Sequence, residues 1–285
     1  MNNMGIIKCV TILTLLLCTY NVKAQEPAKY RITYDCEAES FVGKKETYRW
    51  TLDIGNESAV FYCRDYRNYN VELDSLINAM DATALLDKMA LLGKKYAGRS
   101  SLQLLTGKPE KGMYTYVNGC GDSSLRYEES IPKIDWQLVD STKNICGYDC
   151  NMAIGSVYGR TWIVWYSTEV PMMYGPYIFN GLPGLIMAAY DNGRIFNFEA
   201  IGIEQAPEDA IIELLGLEKA QKCTRKRFLV LRKESSELSL KERAERTRQH
   251  LGLDSKNMTV KVMNAEGKEV SGAEPIPKRN YLDLE

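Results

Sequence analysis

The chain has a single histidine, His250, in 285 residues. A histidine-rich metal site is therefore excluded. A Ser-His-Asp triad would have to run through His250, which sits on a charged helical stretch. No glycine cluster stands between a strand pattern and a helix pattern at the spacing of a phosphate loop or a dinucleotide fingerprint. An excess of either charge is missing too, with 36 Lys and Arg against 37 Asp and Glu. That balance gives no case for nucleic acid or for an anionic membrane surface. Long apolar runs are confined to residues 10–18, so no transmembrane span is expected beyond the N-terminus. Internal repeats and low-complexity linkers are absent, and residues 25–285 read as one domain. The residues thus predict no cofactor, no metal and no catalytic constellation.

The N-terminus has a weakly basic start at Lys8, the apolar run, and the small-residue pattern Val22-Lys23-Ala24. Together these predict a signal peptide over residues 1–24, cleaved between Ala24 and Gln25. Cys18 raises a lipoprotein alternative, but Leu17 occupies the position where such a signal wants a small residue. The mature protein is expected to be periplasmic, outer-membrane-associated or secreted. Two of the eight cysteines leave with the signal. Cys36, Cys63, Cys120, Cys146, Cys150 and Cys223 remain as disulfide candidates in an oxidising compartment. Six cysteines allow about 15 pairings. On one strand, Cys146 and Cys150 would lie about 13 Å apart, beyond the roughly 7 Å that a disulfide spans. Each then needs another partner, unless Gly147 breaks the strand into a tight turn. Cys63 with Cys120 is the expected pair.

Strand patterns cover residues 30–36, 47–54, 58–63, 113–117, 124–129, 134–139, 145–158 and 160–168. Tyrosine is abundant, with 18 in the chain, and favours such half-buried surfaces. Residues 71–96 switch to helical spacing. Thr224 is placed to cap a helix through Leu231. Ser239-Leu240-Lys241-Glu242 is a capping box opening a charged helix to Leu251. Thr259 to Met263 reads as a short last strand, and Pro275 and Pro277 open an extended tail. The expected fold is mainly β (α+β): a strongly curved antiparallel sheet or partial barrel with a helical insertion and C-terminal helices.

The chain is organised around residues 159–204. A strand rich in aromatic and β-branched residues passes through Glu169 and Pro171 into a stiff loop. There Pro171, Pro176 and Pro183 each fix φ and lack a donor. Pro183-Gly184 predicts a type II turn with positive φ at Gly184. Asp191-Asn192-Gly193 then signals a hairpin. The loop reads either as a rigid connection between core strands or as a ligand site. Gly181-Leu182-Pro183-Gly184-Leu185-Ile186 spells the signature of the GLPGLI family, exported Bacteroidota proteins without an established activity. Trp136 and Ile145-Cys146-Gly147-Tyr148-Asp149-Cys150-Asn151-Met152-Ala153 resemble that family's W…I-x-G-Y-x-C-x-x-A. Gly159-Arg160 and Trp165-Tyr166-Ser167-Thr168-Glu169-Val170-Pro171 resemble its G-R…W-Y-T-x-E-I-P. Gly175-Pro176-Tyr177-Ile178-Phe179 is similar to G-P-x-K-F, with Ile178 in place of lysine. Residues 280–284 resemble its N-P-I-E-L ending.

Within the signature, Glu169 reads as a polar group beside a cleft or as an anchor for loop amides. Arg160 reads as an anion site or as the partner of an acid. Met172-Met173 reads as loop packing before soft-metal binding. Trp162, Trp165 and Tyr166 read as core or as pocket walls. The leading expectation is a non-enzymatic envelope protein that binds an apolar ligand or an envelope protein partner. The alternative is a carboxylate-dependent hydrolase of an envelope polymer, using Glu169 and a second acid.

Overall fold

The computed structural model describes residues 25–41, 43–79, 82–97, 99–121, 123–239, 241–242, 245–246, 262–263, 269–270 and 280–282. The expected signal segment with Ala24, His250, the end of the expected charged helix, and Pro275 with Pro277 lie outside the described residues. Strands β1 (Tyr30–Phe41), β2 (Lys44–Ile54) and β3 (Ala59–Cys63) lead into helices α1 (Arg64–Ala79) and α2 (Ala82–Lys95). Strands β4 (Gln103–Thr106), β5 (Met113–Cys120), β6 (Ser123–Ser130), β7 (Gln137–Ile145), β8 (Tyr148–Val157) and β9 (Arg160–Ser167) follow. Then come β10 (Leu185–Asp191), β11 (Phe196–Gln205), β12 (Gln221–Lys222), α3 (Arg225–Glu237), β13 (Val262–Met263) and β14 (Glu269–Val270).

The first twelve strands form one sheet in the order β12-β6-β5-β4-β3-β2-β1-β11-β10-β9-β8-β7, which does not close into a barrel. The sheet is mixed rather than antiparallel throughout, because β12 pairs parallel with β6. A parallel neighbour needs a long crossover, and residues 206–220 supply one by travelling across the second face. The predicted single strand over 145–158 is two elements. Cys146 (φ 52°) and Gly147 (φ 85°) form a two-residue turn between β7 and β8, closed by the pair Ile145 and Tyr148. Tyr158 (φ 49°) and Gly159 (φ 76°) turn β8 into β9 in the same way. Positive φ at both loop residues is what tight hairpins require. The helical insertion likewise starts earlier than predicted and is broken into α1 and α2.

Alternation builds the core. On β1, Ile32, Tyr34, Cys36 and Ala38 are buried on one face with Trp50, Leu52 and Ile54 of β2 and Phe61 of β3. Trp50 stacks on Phe61 at 4.7 Å between centroids, and both meet Phe198 edge-on. The central strands are buried on both sides. Val60, Tyr62, Leu105 and Val117 pack on the other face under Ile212, Leu214 and Ala220 of the crossover. Helix α3 is capped by the Thr224 hydroxyl, which accepts the Arg227 N–H at 3.2 Å. It docks through Phe228, fully buried 5.3 Å from Tyr116 and 5.5 Å from Tyr127. It runs to Glu237, past the predicted Leu231. The predicted capping box forms: Ser239 N–H donates to Glu242 at 2.8 Å, and Glu242 N–H returns to the Ser239 hydroxyl at 3.2 Å.

Candidate functional site

The proline loop between β9 and β10 is packed into the core. Val170, Tyr177, Ile178, Phe179 and Leu182 are all buried. Phe179 meets the Trp162 ring at 4.6 Å, and the Trp136 indole N–H donates to the Asn180 carbonyl at 2.8 Å. Gly175 and Pro176 are buried, whereas Pro171, Gly181 and Pro183 face outward. Leu185 and Ile186 enter β10 with their amides bonded to the Val170 and Tyr174 carbonyls, at 2.9 Å each. Tyr34, buried on β1, donates its hydroxyl to the Ile186 carbonyl at 2.9 Å.

The predicted type II turn at Pro183-Gly184 is not what forms. The positive φ falls on Gly181 (87°), and Gly184 is not in the left-handed region. Gly184 N–H instead bonds the Leu182 carbonyl at 2.8 Å, a three-residue turn about Pro183. Such a turn suits the φ that proline imposes. Glycine is required here for a different reason: a Cβ on Gly184 would fall on the Ser167 carbonyl.

Arg160 is buried and makes three directed bonds. Its Nη1 donates to Asp191 at 3.0 Å, and its Nε and Nη2 donate to the Tyr281 carbonyl at 3.1 and 2.8 Å. The second Asp191 oxygen accepts the Phe196 N–H at 2.7 Å. Of the two readings of Arg160, the structure shows the partner of an acid. Glu169 is exposed and accepts the Asp149 N–H at 2.9 Å, an anchor for a backbone amide. Tyr166 is buried. Trp165 is half-buried and borders a small groove of about 260 Å³ with Tyr190, Arg194 and Lys143. Met172 packs against the core, while Met173 is exposed.

The six cysteines among the described residues are all free thiols. The expected Cys63–Cys120 bridge is not formed. Strand β4 lies between β3 and β5, which sets the two cysteines about 9.6 Å apart by strand spacing alone, too far for a disulfide. Cys146 is exposed in its hairpin turn and Cys150 is buried on β8. Burial pushes the Cys36 and Cys63 thiols up, and the Cys150 thiol up to about 11. Among the described residues, no group of three His, Cys, Asp or Glu side chains is placed to hold a metal ion.

A larger opening lies elsewhere. A cavity of about 1250 Å³ lies between the core face of β1, β2, β5, β6 and β11, helix α3, and residues 280–282. Trp50, Tyr116, Leu125, Phe198, Leu231 and Leu282 give it apolar walls. Asn280 closes one side by bonding Ser40 and Glu39 carbonyls at 2.9 and 2.7 Å. Arg160 fixes the neighbouring Tyr281. The Trp50 indole N–H is buried in this wall without a hydrogen-bond partner. None of these apolar wall residues was a site candidate in the sequence, although the disulfide candidates Cys36, Cys120 and Cys223 also line the cavity. They come from segments nearly 250 residues apart, and each reads locally as an ordinary core position.

No protein-family model and no curated protein matches the chain. Among solved structures, PNGF-II in its C2 and P21 crystal forms is similar, with TM-scores of 0.50 and 0.51 and 16% identity. The match covers 74% of this chain but 34% of the PNGF-II chain. A LolA superfamily protein from Nitrosomonas europaea is aligned over 64% of this chain and 87% of its own, at 10% identity and a TM-score of 0.26. At 16% identity, the likeness to PNGF-II concerns the fold alone.

Proposed function

We propose that this is an exported envelope protein of the GLPGLI type that holds an apolar ligand against the core face of its sheet. The observation that carries this is the cavity of about 1250 Å³ walled by Trp50, Tyr116, Leu125 and Phe198. It exceeds the roughly 300–1,000 Å³ of ordinary small-molecule sites, and beside these apolar side chains its lining carries polar ones such as Ser40, Ser101 and Asn118. The signature loop fills the core face beside β9 and β10 and leaves this part open. A strongly curved sheet is part of the reading. Lys143 on β7 reaches Glu199 on β11 at 3.1 Å, although three strands separate them in the sheet order. Four flat strand spacings would hold them about 19 Å apart, beyond the reach of the two side chains. The proline signature then acts as a structural plug, and Glu169 as its anchor to β8.

Native mass spectrometry of protein purified from its own envelope tests this directly. The expected result is a bound species of lipid-like mass, released on denaturation. A chain that is always empty, and that also takes up no apolar probe, contradicts the reading.

A further inference from the structure

On the sheet side the cavity sets Trp50, Tyr116, Leu125 and Phe198 beside Ser40 and Asn118, and on the helix side it is cationic. Among the described residues lining it stand Arg99, Lys222, Arg227, Arg232 and Arg246, against one acid, Glu234. Some of this charge is already engaged. Lys222 pairs with Glu128 at 2.7 Å, Arg99 lies 3.6 Å over the Tyr69 ring, and Arg232 lies 4.1 Å over the Tyr281 ring. Rings of this kind hold a guanidinium without cancelling its charge. Arg227 is exposed on the first turn of α3 and is in no ion pair among the described residues.

Resting on the apolar-ligand reading above, we infer that the cavity takes an amphiphile with an anionic head group, carboxylate or phosphate, held by the α3-side arginines. The chain of the amphiphile lies along Trp50, Tyr116 and Phe198. The head group sits toward Arg227 and Arg246, where charge-assisted hydrogen bonds to guanidinium are strongest. A neutral amphiphile of the same chain length gains the apolar contacts but not these.

Displacement of the neutral fluorophore N-phenyl-1-naphthylamine, using the full mature chain, tests the inference. Oleate, lysophosphatidate and monooleoylglycerol are the competitors. At low salt the anionic competitors are expected to bind roughly tenfold more tightly than the neutral one, and the tighter of the two identifies the head group. The double variant R227Q and R246Q, checked for folding by circular dichroism, should bring that ratio close to one. Equal displacement by all three in the wild type overturns the charge preference while the cavity reading stands. A fluorophore that never binds overturns the cavity reading itself. An anionic preference that survives in the double variant overturns the assignment of the head group to α3.

Discussion

Arg160 and Tyr281 stand 121 residues apart in the chain, yet the Arg160 guanidinium holds the Tyr281 carbonyl with two of its nitrogens. A third nitrogen is fixed by Asp191. The signature arginine is thus a pin that fastens the C-terminal segment across one side of the cavity. Arg160→Gln leaves Asp191 buried without its cation. Breaking a buried pair this way costs about 3–5 kcal/mol. Urea unfolding should show that loss, and carboxypeptidase should release C-terminal residues faster than from wild type. Arg160→Lys should recover little, because an ammonium cannot serve both partners in this fork geometry. An unchanged urea midpoint in Arg160→Gln contradicts the pin.

Gly184 is expected to tolerate no side chain, because its Cα faces the Ser167 carbonyl. Gly184→Ala should separate β10 from β9 at Leu185 and lower the urea midpoint well beyond a surface change. Met173→Ala, at an exposed position, should stay within about 0.5 kcal/mol of wild type. Equal midpoints for the two variants would show that the close approach is absent.

Phe228 is the one buried residue of α3, set among Tyr116 and Tyr127. Phe228→Ala should cost about 3–5 kcal/mol by loss of burial and the cavity left behind. Hydrogen exchange should rise selectively along α3. Exchange that rises uniformly instead would mean that the helix does not depend on this anchor.

Burial raises the Cys150 thiol to about 11, above its usual value of 9.0. Between these values the unfolded chain ionises this thiol while the folded chain keeps it neutral, so the unfolded state binds fewer protons. Stability from this group is therefore complete below about pH 9 and is lost as pH rises toward about 11. Cys36 and Cys63 act in the same direction. Cys150→Ala should flatten the alkaline limb of the stability profile, read as the slope of melting temperature against pH. An unchanged slope would place Cys150 in contact with water.

What could be read in advance followed local rules. The alternation of Ile32, Tyr34 and Cys36, the Thr224 cap, and the Ser239–Glu242 box each depend on neighbours a few residues away. Gly184 was singled out correctly, but the reason was tertiary: the obstacle is the Ser167 carbonyl, 17 residues earlier, and not its own φ. The β7–β8 turn is legible only as an alternative at Gly147, because Cys146 adopts positive φ (52°) without being glycine or asparagine. Strand β4, with four residues, is too short to show a period. The cavity was invisible because Trp50, Leu125, Arg227 and Leu282 meet only after the sheet has formed.

The proposed function requires that the space beside Trp50 receive a ligand. The sharpest reporter is the indole N–H resonance of Trp50, assigned by Trp50→Phe, followed while oleate is added to isotope-labelled protein. The Trp50 signal should move and saturate, while that of Trp162, packed on Phe179 away from the cavity, stays in place. A titration that leaves Trp50 stationary, or that moves Trp162 and not Trp50, would contradict it.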